Sequence, residues 1–480
     1  MEAVRKSPWA KLKAAFLMLA LAFFNFIFLG TEYQFDNMAA LVTGPEQVVT
    51  AQGYVLGASV LGFLLYPAMA SYRKIKEKLR QILVFAGALA GVICIFVIWQ
   101  HTSYRAIVTA GCLCFILMGM AGSAVHYWLA QRAEQERLAR TVGISYAAGI
   151  FLQFLNNNLV KNDMVESVVL AVSAAVFSVL LLNVEAGEPE MAEIPGEAAP
   201  ENAGRAGIWL ILAVALITCI FSTLDAAVTL VHVAGRGDVG QWPRLLLAGS
   251  GLLAGILFDS REHRYVNLFM YCVTVLSVLC IVVLENGGSF RAGLAVFYLS
   301  AGFFVIFFTS SFMRLSVRMK CPRLWAGLGR AVNNICAFGT GSLSLLLLKS
   351  GSPVVKDSTL LVLLVLISIL FFLYSGAIRP GERKKEAGEK KSAQRSEEER
   401  LRIFADSFSL TEREREVLKV LLVSDENVQD IAEELMISRA ALYRHLTSLN
   451  EKTGTKSRIG LVQFYYRYDK GIRNEKERED

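Results

Sequence analysis

The first 378 residues are organised as long, unbroken apolar blocks separated by short polar joins, with no sustained alternation of the kind that marks half-buried strands. The blocks fall at 12–34, 52–72, 81–99, 105–129, 139–160 and 164–184, and then, after a gap, at 206–233, 242–258, 265–284, 291–313, 325–348 and 354–376. Each is close to the ~20 residues a helix needs to cross the hydrocarbon core of a bilayer. The gap, 185–205, holds six Glu and no apolar run, so it reads as a solvated connector. The pattern predicts an all-α fold: a twelve-transmembrane-helix bundle of two six-helix halves, 1–184 and 206–378, joined by an acidic linker. Arg5, Lys6, Lys11 and Lys13 surround the start of the first block as they would in a secretory signal. However, the apolar stretch Leu12–Leu29 is longer than a signal core and no small-residue cleavage pattern follows, so it is read as a retained span.

After residue 378 the pattern changes. Residues 379–400 form a polar, charge-mixed linker, and residues 401–480 carry short amphipathic segments that predict a small soluble four-helix domain with its core at 405–468. Thr411 and Glu414 have the spacing of a capping box, opening a helix whose apolar face is Val417, Leu418, Leu421 and Leu422. Asn427 is placed to cap a second helix, Val428–Leu435, and Met436-Ile437 to make a tight turn. Ser438 is placed to cap a third, longer helix bearing Leu442, Leu446 and Leu449, with Gly454 as its C-cap. Ser457 then opens a fourth through Leu461, Val462, Phe464 and Tyr465. Two short helices joined by a tight turn, the second longer, form the helix-turn-helix arrangement, here at 428–447.

Composition sharpens the first part and charge sharpens the second. Apolar residues make up 54% of the chain and charged residues 19%, with 29 Phe, which fits a membrane protein and no other class. Basic residues set its orientation. With the N-terminus inside, the inner segments collect about nineteen Lys and Arg, including Arg73, Lys74, Lys76, Lys78 and Arg80, while Gly30–Gln52 has none. An even number of spans then returns the C-terminus to the cytoplasm. The net charge of +7 is not concentrated in the tail, where residues 379–480 hold 22 basic and 21 acidic side chains. Any nucleic-acid surface must therefore be local. From Glu412 to Glu434 there are eight acids against three bases, and from Arg439 to Arg458 five bases against one acid, so the third helix and the turn after it form the positive side. All eight Cys precede residue 337, and the Cys112–Cys114 pair has no His or second Cys pair beside it, so neither a disulfide framework nor a metal site is expected.

Two resemblances follow from these residues. The tail segments Leu410-Thr-Glu-Arg-Glu-Arg-Glu-Val-Leu, Ile431-Ala-Glu-Glu-Leu-Met-Ile-Ser438, His445-Leu446, Lys452-x-Gly454 and Ser457-Arg458 resemble the LuxR-type DNA-binding domain. That resemblance, with the helical phase, implies that Tyr443, Arg444 and Thr447 face the major groove of double-stranded promoter DNA and that Arg439, Lys452, Lys456 and Arg458 touch phosphates. It also implies a homodimer contact through the fourth helix, at Phe464, Tyr465 and Tyr466. Where the family usually carries Thr-Val-Lys, this chain has Ala441-Leu442-Tyr443, which bears on the DNA sequence preferred. The membrane part, 1–378, resembles the major facilitator superfamily in its two six-span halves and in one loop, Gly255-Ile-Leu-Phe-Asp259-Ser-Arg261-Glu-His-Arg264. In the first half the matching stretch, Gly62-Phe-Leu-Leu-Tyr-Pro67-Ala-Met-Ala-Ser-Tyr-Arg73, keeps the bases and lacks the acid.

Polar residues at membrane depth are costly, and they usually face one another or a cavity. Glu32 and Asp36 in the first span and Asp225 in the seventh stand in matching helices of the two halves. With Asn157, Arg330 and Asn334 they are the candidates for lining a small-molecule cavity. Gln153 and Asn157, like Arg330 and Asn334, share a helix face by their i,i+4 spacing. The amides have an alternative use as interhelical glue, and His126 and His232 read as packing residues. No phosphate-binding loop, nucleophile–base arrangement, cofactor motif or metal-ligand spacing occurs, so no enzyme chemistry and no cofactor is expected. The expected function is a one-component transcription regulator held in the bacterial inner membrane, sensing a small molecule of unknown identity. The alternative is a secondary transporter of the major facilitator type with a regulatory tail.

Overall fold

Each apolar block becomes one helix. In a computed structural model, residues 8–70, 77–185, 203–233, 242–260, 265–285, 289–349, 353–378, 398, 400–423 and 427–479 are described. The chain divides into two compact units, Met1–Ile378 and Arg379–Asp480. In the first unit the helices are α1 (Pro8–Ala40), α2 (Pro45–Ala70), α3 (Glu77–Gln100), α4 (Tyr104–Arg132), α5 (Leu138–Leu159), α6 (Asp163–Glu185), α7 (Ala203–Val233), α8 (Pro243–Phe258), α9 (Val266–Glu285), α10 (Phe290–Ser316), α11 (Pro322–Lys349) and α12 (Pro353–Ile378). Proline opens α1, α2, α8, α11 and α12, at a position where its missing N–H is not needed and its fixed φ suits the helix.

Among the described residues α1–α7 and α10 are long and apolar enough to cross a membrane, and α8, α9 and α12 contribute shorter apolar stretches. Over its described side chains, residues 322–341, α11 meets neither measure. It carries Arg330, Asn333 and Asn334, and Arg330 and Asn334 are buried inside the bundle. A helix lined by polar groups that face other helices can sit at membrane depth without a uniformly apolar sequence.

Close backbone approach holds the bundle together where small residues meet. A Cβ on Gly62 of α2 would lie 2.0 Å from the Ile116 carbonyl oxygen of α4, and one on Gly119 of α4 would lie 2.1 Å from that of Ser59. The two halves meet along α5 with α8 and along α11 with α2 and α4. At the first of these seams Gly143 faces Gly251 and Gly255, with a Cβ on Gly143 only 2.8 Å from the Gly251 oxygen. Around the seams the core is built from phenylalanine, including the fully buried Phe24, Phe28, Phe63, Phe115, Phe307 and Phe308.

The second unit holds α13 (Glu412–Val423), α14 (Val428–Glu434), α15 (Arg439–Thr453) and α16 (Arg458–Glu479). Its core gathers Val417, Leu418, Leu421, Ile431, Leu442, Leu446, Leu449 and Leu461, the apolar faces read from the sequence. One element was not anticipated. Residues 400–407 are helical and place Leu401, Phe404 and Ala405 in the same core. No strand occurs among the described residues.

Candidate nucleic-acid interface and buried charge cluster

In the C-terminal unit the caps position the helix-turn-helix. Asn427 Oδ1 accepts hydrogen bonds from the Gln429 and Asp430 N–H groups at 2.8 and 3.2 Å, opening α14. Met436, at φ 51°, makes the left-handed turn that swings the chain into α15. Ser438 Oγ accepts from the Ala441 N–H at 3.2 Å, and Gly454, at φ 68°, closes the helix. Leu442, Leu446 and Leu449 point into the core, so the opposite face of α15 presents Arg439, Tyr443, Arg444 and Thr447 to solvent. The Arg439 guanidinium lies 6.0 Å from the centre of the Tyr443 ring, pairing the two across one turn. The Thr447 hydroxyl donates to the Tyr443 carbonyl at 3.0 Å. Lys456 is exposed after the turn, and Arg458 is half-buried at the start of α16.

Lys452 occupies a different setting. Its Nζ donates to Glu414 Oε2 at 2.7 Å and to the Ser409 carbonyl at 2.9 Å, which ties α15 to the start of α13. Glu414 also accepts from the Thr411 N–H and hydroxyl at 2.7 and 2.9 Å and from Ser448 Oγ at 2.6 Å. The capping box read from the sequence is therefore also an interhelical junction, and the spacing of Thr411 and Glu414 gave no sign of that second role. Burial by itself pushes the Glu414 carboxyl up, but hydrogen bonds from Lys452, Ser448 and Thr411 outweigh it and hold the group at about 2, below its usual 4.5. A depressed carboxylate contributes stability that is complete above the unfolded value and is lost as pH falls through the folded one. Acidification from about 4.5 to about 2 should therefore erode the wild-type unit. Glu414→Gln should be less stable at neutral pH and nearly insensitive across that window. Hydrogen exchange of α13 and α15 in the full-length protein checks this, and equal acid sensitivity of the two proteins would refute it.

The fourth helix also differs from expectation. Phe464 and Tyr465 turn into their own domain, where their ring centres lie 6.1 and 5.1 Å from that of Phe404, and Phe408 lies 5.4 Å from Phe464. The helix at 400–407 supplies that partner ring, leaving Tyr465 buried and Phe464 half-buried within its own unit. Tyr466, 49% exposed, is the one of the three that remains on the surface.

In the membrane unit the loop signature has a clear structural use. Asp259, whose side chain is 2% exposed, accepts from the Ala139 and Arg140 N–H groups at 3.2 and 2.7 Å and pairs with Arg314 at 3.1 Å. A carboxylate from the second half thus caps α5 of the first, where unpaired N–H groups and the helix dipole favour negative charge. Gly255, one turn earlier, lets α8 reach α5: a Cβ there would lie 2.7 Å from the Ala139 oxygen. Arg261 and Arg264 lie outside the described residues. In the first half, where the acid is missing, Arg323 of α11 donates instead to the Ala70 carbonyl at the end of α2, at 2.6 Å.

The buried polar residues divide into glue and cluster. Gln153 donates to the Leu29 carbonyl at 2.7 Å, Asn334 to Ser59 Oγ at 2.8 Å and Asn333 to Asn334 at 3.1 Å, all interhelical or neighbour contacts of the glue kind. His126 bonds the Gly122 carbonyl and meets the rings of Phe24 and Phe63, as a packing residue does. His232 stacks on Tyr33 and contacts Asn37. Both polar atoms of the Asn157 amide are buried without a hydrogen-bond partner, and Asn156, its neighbour, is the one drawn to Glu166, at 3.1 Å.

Glu32, Asp36 and Asp225 come together. Asp36 feels the charges of Glu32, Asp225 and Arg244, and Glu32 those of Arg330 and Arg244. Gln52 donates to Glu32 at 3.0 Å. Arg330 donates to Asn25 at 3.2 Å and lies over the rings of Phe28 and Phe308. Arg244 was missed from the sequence because it stands two residues into the eighth block, where a cation reads as a loop residue. It is 8% exposed and lies over the Tyr33 ring at 5.7 Å.

Comparison with known proteins agrees with both units. Residues 408–465 match the family described as bacterial regulatory proteins, luxR family. No curated protein matches the chain. Among solved structures, the human organic anion transporter MFSD10 (TETRAN) superposes with a TM-score of 0.54 at 14% identity, over 77% of this chain and 100% of that one. An auto-inhibited peptide transporter of the POT family gives 0.52 at 11% identity, over 77% and 97%. A bacterial homologue of the iron transporter ferroportin, in an outward-facing state, gives 0.53 at 16% identity, over 76% and 99%. The chain thus joins a LuxR-type helix-turn-helix domain to a multi-pass membrane domain with the fold of major facilitator transporters.

Proposed function

We propose, from a LuxR-type domain carried on a transporter-fold bundle, that this protein is a membrane-held transcription regulator whose bundle senses a small molecule. The observation that carries the DNA-binding half is the outward face of α15, where Arg439, Tyr443, Arg444 and Thr447 stand exposed on a helix capped at both ends. Such a helix fits the major groove, with Lys456 and Arg458 near the phosphates. Lys452 supports the domain through Glu414, and any phosphate contact would use its remaining donor. In this reading the bilayer is the bacterial inner membrane and both termini are cytoplasmic, an orientation that the basic inner loops support. The sensing half rests on Glu32, Asp36, Asp225 and Arg330. A change in the bundle would bias the pairing or exposure of the tail, possible only if a ligand binds its two states unequally.

Mapping the genomic sites occupied by the full-length protein tests the first half: discrete promoter sites are expected, and uniform or absent occupancy would overturn it. Neutralising Asp225 and Arg330 together tests the second, because promoter output should stop responding to growth conditions that change it in wild type. The same buried charge cluster also suits a secondary transporter. Uptake and efflux in vesicles, with and without residues 379–480, separate that reading from the regulator.

A further inference from the structure

The charge cluster is divided in a way that its own residues do not neutralise. Along α1, Asn25, Phe28, Glu32 and Asp36 recur every three or four residues and so share one face. Arg330 sits at the Asn25–Phe28 end, 6% exposed, with one hydrogen bond to Asn25 and the Phe28 and Phe308 rings on its flanks at 5.3 and 5.5 Å. It makes no ion pair among the described residues, and its Nε is buried without a partner.

Towards the other end of the face come Glu32 and Asp36, and Asp225 joins them from α7. Glu32 lies in the fields of both Arg330 and Arg244, whereas Asp36 and Asp225 share that of Arg244, which lies over Tyr33. Asp36 is 7% exposed, and its Oδ1 is buried without a partner. One end of the face thus holds a cation with no ion pair among the described residues, and the other an excess of acid. Charges removed from water are costly until a partner meets them.

We infer that this face binds a small zwitterion of the amino-acid type, its carboxylate taken by Arg330 and its ammonium by Glu32 and the acids beyond it. The inference rests on the reading of the bundle as a ligand site. A ligand with a single charge would neutralise one end and leave the other bare, whereas a zwitterion answers both in one step. The spacing agrees: at about 1.5 Å per residue the step from Phe28 to Glu32 is about 6 Å along the helix. Charge-assisted contacts of about 2.8 Å at either end of an amino-acid head group bridge a step of that order. The guanidinium fork suits a planar carboxylate, and its aromatic flanks leave an apolar wall for the side chain.

The test is calorimetric titration of the full-length protein in lipid nanodiscs with each of the twenty protein amino acids. Any that binds is compared with its decarboxylated amine and its deaminated acid. At least one amino acid should bind, and each analogue should bind at least about 30-fold more weakly, the loss expected when one member of a buried charge pair is removed. Arg330→Lys should weaken the zwitterion and the acid while leaving the amine unchanged, and Glu32→Gln should do the reverse. A misfolded variant would weaken all three ligands together, so the crossed pattern separates recognition from stability. Binding by no amino acid, or equal binding by an amine or acid alone, would overturn the inference. A single-charge ligand that still depended on Glu32 or Arg330 would leave the sensor reading standing. That reading fails separately if promoter output ignores Asp225→Asn.

Discussion

Phe404→Ala should unfold, or bring close to unfolding, the entire C-terminal unit while leaving the membrane bundle intact. Phe404 is fully buried, and its ring meets Phe408 at 4.7 Å, Tyr465 at 5.1 Å and Tyr468 at 5.3 Å. Truncating a buried phenylalanine costs about 3–5 kcal/mol through lost burial and the cavity left behind. A domain of this size is stabilised by only about 4–12 kcal/mol, at roughly 0.05–0.15 kcal/mol per residue. The damage should stay local because the two units have separate cores. Hydrogen exchange in the full-length protein should show α13–α16 losing protection while α1–α12 keep theirs. Wild-type protection of α15 in the variant would sink the idea. The family match begins at residue 408. A tail fragment cut there would lack Phe404 and should be far less stable than one beginning at 395.

The reason Phe404 escaped notice separates what a sequence displays from what it conceals. Apolar blocks, caps and turns are local signals, each visible within a few residues. The twelve helices of the first unit, the Thr411–Glu414 box, the Asn427 and Ser438 caps and the Gly454 stop were all legible for that reason. The helix at 400–407 carries only Leu401, Phe404 and Phe408 at helical spacing, directly after a charged run, and its apolar face was lost against that background. Long-range pairings were concealed for a different reason. Glu414 meets Lys452 across 38 residues, and Arg330 meets Asn25 across 305. Nothing in the neighbourhood of either residue announces its partner. For acids in matching spans, symmetry between the halves substituted for contact information and brought Glu32 and Asp225 into one hypothesis. It had no means of finding Arg244, which has no counterpart in that scheme.

Arg444→Ala should cut the preference for the native promoter site by roughly 5- to 150-fold while leaving the fold unchanged. The side chain is exposed on α15, one residue from Tyr443 and on the opposite side of the helix from Leu442, Leu446 and Leu449. Its loss therefore removes no core contact, and surface changes of this kind seldom move stability by more than about 0.5 kcal/mol. A guanidinium reaching a guanine edge contributes about 1–3 kcal/mol of discrimination, roughly 5- to 150-fold in affinity. Lys456→Ala should behave differently. Removing a phosphate contact should weaken native and scrambled DNA alike and reduce the slope of log affinity against log salt by about one. Both variants can be titrated as full-length protein in nanodiscs against a fragment from a mapped genomic site and a scrambled control, at several salt concentrations. The two outcomes are expected to cross, with Arg444→Ala lowering the ratio between the fragments and Lys456→Ala preserving it. If Arg444→Ala lowered both affinities equally and altered the salt slope, Arg444 would be a phosphate contact. Sequence reading by α15 would then have to rest on Tyr443, held beside Arg439.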